Sequence, residues 1–119
     1  MPDNDSRKSL AQRLDLEYSD SMQDWEYEVS DYIRMDDFLA EYDNLKTTDT
    51  EKQSLMEIML DSLNDSLLDR ELSVFNSKFT AIVERLIKYF DLHKSSISYW
   101  KENDFLISSK LSAIEELNK

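Results

Sequence analysis

The sequence predicts an all-α protein that folds as a single compact domain of about five to seven helices. Its 119 residues include no glycine, and Pro2 is the only proline. Tight β-hairpin turns favour Gly or Asn at positive φ, so a chain without glycine is poorly suited to a β meander. Leucine, isoleucine and methionine instead recur at helical spacing along most of the chain. The length is that of one domain, and the thirteen aromatic residues supply apolar mass for its core.

The N-terminal segment is polar, and residues 1–8 are predicted to be flexible, with the helical domain extending over residues 9–119. Apolar residues four apart then predict a short helix over residues 10–18. These residues are Leu10, Leu14 and Tyr18. A second helix is predicted over residues 22–34, with a serine cap and an apolar stripe on one face. The candidate caps are Ser19 and Ser21, and the stripe comprises Met22, Trp25, Val29, Tyr32 and Ile33.

A short break is predicted over residues 35–37, before a third amphipathic segment. The apolar face of that segment consists of Phe38, Leu39, Tyr42 and Leu45. Residues 46–50 are then predicted to form a loop, because they are polar and lack a helical apolar period.

The next helix has the clearest apolar period in the chain. Thr48 and Glu51 have the spacing of a capping box at its start, with Asp49 and Thr50 as rival caps. Its apolar face is wide, which predicts a central and mostly buried helix. The polar residues 64–70 are predicted to end it. The face comprises Leu55, Met56, Ile58, Met59, Leu60, Leu63 and Leu67.

Three further helices are predicted in the C-terminal part of the chain. The first spans residues 72–90 and has a continuous apolar stripe. Residues 91–94 are predicted to connect it to a short helix that starts at one of the two serines at 95–96. A terminal helix is predicted from position 103 or 104, with an apolar face of Leu106, Ile107, Leu111, Ile114 and Leu117.

The charge is distributed very unevenly along the chain. Residues 15–49 hold twelve acidic residues but only two basic ones, Arg34 and Lys46, and so carry ten of the twelve net negative charges. Such a field repels nucleic acid and membrane surfaces and attracts basic partners. The stretch also holds six aromatic residues. They favour a docking surface, because interface centres are rich in Trp and Tyr. A solvated helix face stays open as the alternative, since Trp25 and Tyr32 belong to the predicted apolar stripe.

The candidate partner-binding residues come from this acidic stretch. Their carboxylates would pair with Lys and Arg of a basic partner, and the one tyrosine among them, which lies off the apolar stripe, would supply apolar contact. The set is Asp24, Tyr27, Glu28, Asp31, Asp36, Asp37 and Glu41. The sequence does not indicate an oligomeric state.

The sequence lacks the residues on which many catalytic sites depend. The absence of cysteine excludes disulfides, zinc thiolate sites and thiol nucleophiles, and the absence of glycine excludes glycine-rich phosphate loops. His93 is the only histidine, and no triad pattern surrounds it. A calcium loop needs a glycine, and the Glu-x-x-His pair of di-iron bundles is missing. We therefore expect no enzymatic activity, no cofactor and no metal site.

A cytoplasmic location is the expectation from the same composition. A chain without cysteine suits a reducing compartment. The first ten residues have no apolar core of the kind found in signal peptides. The apolar runs are also far too short to span a membrane.

Residues 82–101 support a different interpretation, a helix-turn-helix reader of DNA. The positions that such a motif buries are apolar here, namely Leu86, Phe90, Leu92, Ile97 and Trp100. The serines at 95, 96 and 98 would face the groove, with lysines at 88, 94 and 101 near phosphates. Asp91 stands where the turn usually has glycine, Ile87 is bulky where a small residue is preferred, and the chain is acidic. These departures favour the packing of two ordinary helices.

Residues 38–101 resemble small bacterial immunity proteins of the contact-dependent growth inhibition type. The resemblance lies in EKQSLMEIMLDSLNDSL (Glu51–Leu67), the apolar helix after it, and HKSSISYW (His93–Trp100). It implies a cytoplasmic, non-enzymatic toxin inhibitor that binds one cognate basic toxin, commonly a nuclease, and masks its active site. The acidic stretch agrees with this implication, since carboxylates fit a cleft built for phosphates. An acidic DNA mimic or regulatory adaptor is the remaining alternative.

Overall fold

The computed structural model describes residues 4–19, 21, 24–102, 107, 108 and 111. These residues contain six α-helices and no strand, which confirms the predicted all-α class. A 3₁₀ turn at Tyr32–Arg34 lies between the second and third helices. The helices are α1 (Asn4–Leu14), α2 (Trp25–Glu28), α3 (Met35–Tyr42), α4 (Asp49–Leu68), α5 (Leu72–Lys88) and α6 (Phe90–Glu102).

Helix α4 is the centre of the fold, as its wide apolar face predicts. It contacts each of the other five helices and the 3₁₀ turn. The predicted capping box forms: Glu51 N donates to Thr48 Oγ1 at 3.2 Å, and Thr48 N donates to Glu51 Oε1 at 2.8 Å. Its fully buried apolar residues are Leu55, Met56, Ile58, Met59, Leu60 and Leu63. The helix ends at Leu68, inside the polar segment predicted to end it.

The predicted helix over residues 22–34 was wrong, because the described part of this segment forms only the four-residue α2 and the 3₁₀ turn. Met22 lies outside the described residues. Asp31 is extended, and its carboxylate accepts from Ile33 N at 3.0 Å. Its own N–H donates to Ser62 Oγ on α4 at 3.0 Å. These bonds replace the helical ones, and α3 then begins at Met35, where a break was predicted.

The ends of α1 and α3 also differ from the predictions. Helix α1 starts at Asn4, before the predicted start at residue 10, and ends at Leu14, before Tyr18. Leu45 was assigned to an apolar face but is fully exposed. Helix α3 ends before it, and the loop is closed by the Thr47 hydroxyl, which donates to Glu41 O at 2.6 Å.

The predicted connector over residues 91–94 was wrong, as was a helix start at 95–96. Only Tyr89 separates α5 from α6, which runs continuously from Phe90. His93 therefore lies inside a helix and is fully buried. Most of the predicted terminal helix lies outside the described residues. Its Ile107 and Leu111 are buried, and Leu111 N donates to Ile107 O at 3.1 Å.

Two helices end in left-handed residues that are not glycine. Asp15 follows α1 with φ 56°, and Arg70 follows α4 with φ 58°. Leu16 N donates back to Ala11 O at 2.9 Å, and Glu71 N donates back to Ser66 O at 2.8 Å. This is the Schellman pattern, in which glycine is the usual left-handed residue. A side chain at this φ costs roughly 1 kcal/mol.

Replacing Arg70 with glycine is therefore expected to stabilise the protein by up to about 0.6 kcal/mol, because the relief of roughly 1 kcal/mol of backbone strain is partly offset by the entropy that glycine adds to the unfolded chain. Glycine adopts the left-handed conformation without the clash that a Cβ atom causes. The free energy of unfolding in urea measures the gain. Arg70→Ala is the matched control, because it removes the same charge but keeps the Cβ. A glycine variant no more stable than the alanine variant would contradict this account.

Candidate partner-binding surface

The α3 acids of the predicted binding set are already paired with bases of the chain. Asp36 pairs with Lys78 of α5, and Asp37 pairs with Arg34 at 3.2 Å. Glu41 pairs with Arg13 of α1, which also contacts Glu51 on α4 at 3.0 Å. Because each of these carboxylates faces a cation, the charge of α3 is largely balanced locally. The structure thus sets Asp36, Asp37 and Glu41 apart from the rest of the set.

The remaining four predicted residues lie together on and beside α2. Asp24, Glu28 and Asp31 are exposed, and none of the ion pairs within the described part of the chain involves them. The Asp24 carbonyl accepts the first two amide bonds of α2, from Tyr27 at 2.9 Å and Glu28 at 3.0 Å. Tyr27 is 36% exposed, and its ring meets Trp100 edge-on with centroids 6.0 Å apart.

A row of four carboxylates along α4 and at its C-cap extends this surface. Its members are Glu57, Asp61, Asp65 and Asp69, spaced four residues apart, and we call them the α4 ladder. Residues four apart lie on the same helical face, where each like-charged pair costs about 0.2–0.5 kcal/mol. Sequence reasoning missed the ladder, although its spacing is visible in the printed sequence. The strong apolar period of the same helix accounts for the omission.

Neutral donors from the α2 region and from α6 hydrogen-bond to the ladder. Tyr27 Oη donates to Glu57 Oε2 at 3.0 Å, and Tyr32 Oη donates to Asp69 Oδ2 at 2.8 Å. Glu57 also accepts from Ser96 Oγ at 2.5 Å and from Trp100 Nε1 at 2.8 Å. No ion pair among the described residues reaches the ladder. Hydroxyl and indole donors carry no charge, so they leave the negative charge of the ladder in place.

Burial makes this charge unfavourable in the free protein. It raises the pKa of Asp61, and the charges of Asp65 and Glu57 act in the same direction, while the Ser30 hydroxyl opposes them. Burial likewise raises the pKa of Asp65, and the charge of Asp69 adds to the effect. A nearby cation would oppose the effects of burial and of the neighbouring carboxylates on both pKa values, because it favours the ionised carboxylate. The two central carboxylates of the ladder, Asp61 and Asp65, are therefore half-buried anions that a basic group would stabilise.

A cavity of about 410 Å³ lies at the Glu57 end of the ladder. Its lining comes from α1, α2, α4 and α6, together with Asp24, which precedes α2. Inside it, Glu26 is nearly fully buried and accepts two bonds from the Arg7 guanidinium, at 2.7 and 2.9 Å. Ser54 Oγ donates to the same carboxylate at 3.0 Å. Tyr27 and Tyr99 also line the cavity.

The two tryptophans belong to the core. Trp25 is fully buried and Trp100 is 1% exposed. The Trp25 indole donates to Glu17 O at 2.6 Å, and the Trp100 indole donates to the ladder, as described above. Tyr27 is therefore the aromatic member of the acidic stretch that is both exposed and beside the ladder.

The segment with helix-turn-helix spacing does not form the turn of that motif. A single residue, Tyr89, joins α5 to α6, whereas the motif uses a turn of three or four residues. Asp91 lies within the first turn of α6. Ser96 is engaged with Glu57, and Ile97 is buried.

Within the described residues, no three His, Asp or Glu side chains are grouped as metal ligands would be. None of the described helices combines the length and hydrophobicity needed to cross a bilayer. No protein-family model matches the sequence, and comparisons with curated proteins and with solved structures gave no significant match.

Proposed function

We propose that this chain is an immunity protein, which binds a basic toxin domain through the α4 ladder and neutralises it. The exposed acids beside α2, namely Asp24, Glu28 and Asp31, extend the binding face. The observation that carries the proposal is the ladder itself, whose charge meets only neutral donors within the described residues. An acidic surface of this kind attracts a basic protein and speeds its association.

The geometry of the ladder favours a nuclease as the toxin. Four carboxylates spaced over thirteen residues, the last of them the C-cap of α4, extend for about 18 Å along the axis. Because four residues turn about 400° around the axis, the row winds around the helix by about 40° at each step and presents regularly spaced negative charges, as a nucleic acid backbone does. A cleft that binds phosphates with Lys and Arg presents the complementary charges. Occupation of that cleft by the ladder would exclude the substrate.

Neutralising the middle of the ladder is expected to weaken toxin binding by roughly tenfold to a hundredfold. Asp61→Asn with Asp65→Asn keeps the shape of both side chains and removes two charges. Folding should be unimpaired, because the substitution removes like-charge repulsion and the burial of two carboxylates. The double variant Asp36→Asn with Asp37→Asn is the matched control, since those acids are already paired with the chain's own bases. We expect the control to change affinity less than threefold.

The experiment starts with co-expression of the chain and the product of the adjacent upstream gene. Arrest of growth by that product alone, relief by this chain and recovery of a stoichiometric complex would support the proposal. Affinity is then measured by calorimetry for the two double variants. Equal losses in both variants would refute the ladder as the binding face. If co-expression gave no complex and no relief of growth arrest, the immunity proposal would fail.

An acidic adaptor that mimics DNA is the second candidate, because the regular repeat of the ladder also suits a DNA-binding protein of the host. The two candidates share the same surface and differ in the partner. Recovery of a host DNA-binding protein, released by the Asp61 and Asp65 substitutions but not by those on α3, would favour the adaptor. Rescue from a toxin would favour immunity.

A further inference from the structure

We infer that the cavity between α2, α4 and α6 is a receptor for an arginine side chain of the partner. The inference rests on the proposed function and deepens it, because it names the partner group that anchors the complex. The cavity lies at the end of the ladder, so one partner surface can reach both.

The charges of the cavity favour a cation. Its lining includes three carboxylates, Asp24, Glu26 and Glu57, and one base, Arg7. Arg7 is committed to Glu26 through two short hydrogen bonds. Glu57 accepts only from neutral groups within the described chain, and Asp24 has no ion pair there. Two negative charges of the lining are therefore left without a cation from the residues described.

The shape and the walls favour a guanidinium in particular. The volume, about 410 Å³, falls within the range of roughly 300–1,000 Å³ that is typical of ligand sites. Tyr27 and Tyr99 line it, and each ring meets Trp100 edge-on, with centroids 6.0 and 5.8 Å apart. A planar guanidinium stacks on aromatic faces and donates in pairs to carboxylates, which a lysine ammonium cannot do in the same geometry.

The chain itself already shows this mode of recognition. Glu26, which lines the cavity, holds the Arg7 guanidinium with Nε and Nη2 at 2.7 and 2.9 Å from its two oxygens. Glu57 has neutral donors on both of its oxygens, which orient the carboxylate without cancelling its charge. An incoming guanidinium would find a second oriented carboxylate beside an aromatic wall.

The test titrates the ¹⁵N-labelled full-length chain with the peptide acetyl-Gly-Arg-Gly-amide. The signal to follow is the indole N–H of Trp100, which donates to Glu57, while the indole of Trp25, bound to Glu17 O, serves as the internal reference. We expect the Trp100 signal to shift with saturation and the Trp25 signal to stay in place. The same peptide with citrulline, a neutral isostere of arginine, should give no saturable shift. The lysine peptide should bind severalfold more weakly.

Two variants test whether the arginine peptide and the toxin bind the same cavity. Glu57→Gln keeps the size of the side chain and removes the charge, so it should lower the affinity for both the arginine peptide and the toxin about tenfold. Glu84→Gln, an exposed residue of α5 outside the cavity lining and outside the proposed binding face, should change the peptide affinity less than twofold. Urea unfolding of both variants shows whether each is folded.

The outcomes separate this inference from the proposed function. If the citrulline peptide shifts Trp100 as strongly as the arginine peptide, or if neither shifts it, the inference is overturned. Toxin binding that depends on Asp61 and Asp65 but not on Glu57 would also overturn it and leave the proposed function standing. A saturable arginine shift abolished by Glu57→Gln, in a chain that captures no toxin, would support the cavity and refute the proposed function.

Discussion

Replacing Trp25 with alanine is expected to lower the free energy of unfolding by about 3–5 kcal/mol. The side chain is fully buried, its indole donates to Glu17 O at 2.6 Å, and Tyr18 packs against it edge-on. Helix α2, which Trp25 begins, has only four residues, and no side chain caps its N-terminus. A helix this short is not stable by itself, so tertiary contacts hold it in place. Trp25 is the fully buried member of α2 that supplies them.

Trp25→Ala should also weaken partner binding, because Glu26 and Tyr27 follow Trp25 on the same helix. Chemical denaturation monitored by circular dichroism gives the stability, and calorimetry gives the affinity. Val29→Ala is the matched control at the other end of α2, where a half-buried side chain is shortened. It should cost no more than about 1.5 kcal/mol. A loss below about 1 kcal/mol for Trp25→Ala would show that other contacts hold α2.

Acidification from pH 6.5 to pH 4 is expected to destabilise the protein by up to about 3 kcal/mol through His93 alone. Burial lowers the pKa of His93 to about 4, and the charge of Lys52 adds to this effect, while Asp49 opposes it. The unfolded chain therefore takes up a proton near pH 6.5, whereas the folded chain takes one up only near pH 4. The contribution of His93 is fully present above pH 6.5, declines as the pH falls and levels off below pH 4.

The surroundings of His93 explain why the folded state resists protonation. Nε2 lies 2.6 Å from the Tyr42 hydroxyl, and Nδ1 has no partner within the described residues. Tyr89 packs against Tyr42, and the Lys52 ammonium lies over both tyrosine rings, at 4.4 and 5.1 Å from their centroids. With one proton on the ring, either the imidazole N–H or the Tyr42 O–H is left without an acceptor among these groups. A second ring proton would add a buried cation next to Lys52.

The measurement compares unfolding free energies at pH 7 and pH 4.5 for the wild type and for Tyr42→Phe with His93→Leu. The double variant removes both polar groups, so no unpaired hydroxyl is left behind. Asp61 and Asp65 titrate in the opposite sense, because their raised pKa values increase stability as the pH falls. They are present in both proteins and largely cancel in the difference. Equal pH dependence in the two proteins would refute the assignment to His93.

Local signals predicted the best-defined part of the fold. Thr48 and Glu51 lie close in sequence and form the capping box that they predict, and the apolar period after them predicts a buried central helix. Helix α5 starts at Leu72 as predicted, because its apolar stripe is regular. These features depend on interactions within a few residues, which a single sequence makes visible.

The misplaced boundaries depend on contacts that are distant in sequence. The helix predicted over residues 22–34 is interrupted where Asp31 bonds to Ser62, thirty-one residues away. The serines at 95–96 resemble a helix start, yet Ser96 bonds to Glu57 from the middle of α6, thirty-nine residues away. No local sequence pattern distinguishes these serines from serines that cap the N-terminus of a helix.

Contacts distant in sequence also divide the predicted partner-binding residues into two groups. Asp36 and Glu41 belong to the acidic stretch in sequence, but Lys78 and Arg13 approach them from other helices, forty-two and twenty-eight residues away. The α4 ladder lies outside that stretch, and its carboxylates form no ion pair among the described residues. The charge pattern of the sequence therefore predicts where acids are dense. Only the packing of the helices shows which of those acids have a base beside them.

The absence of glycine, which leaves non-glycine residues in the left-handed conformation after α1 and α4, also affects the denatured chain. Glycine at Asp15 or Arg70 would relax the native backbone, but each glycine also adds conformational freedom to the unfolded ensemble, worth about 0.4–1 kcal/mol. A chain of 119 residues without glycine begins folding from a narrower ensemble throughout its length. The entropy lost on folding is therefore smaller over the whole chain, whereas the left-handed strain among the described residues is confined to two helix ends.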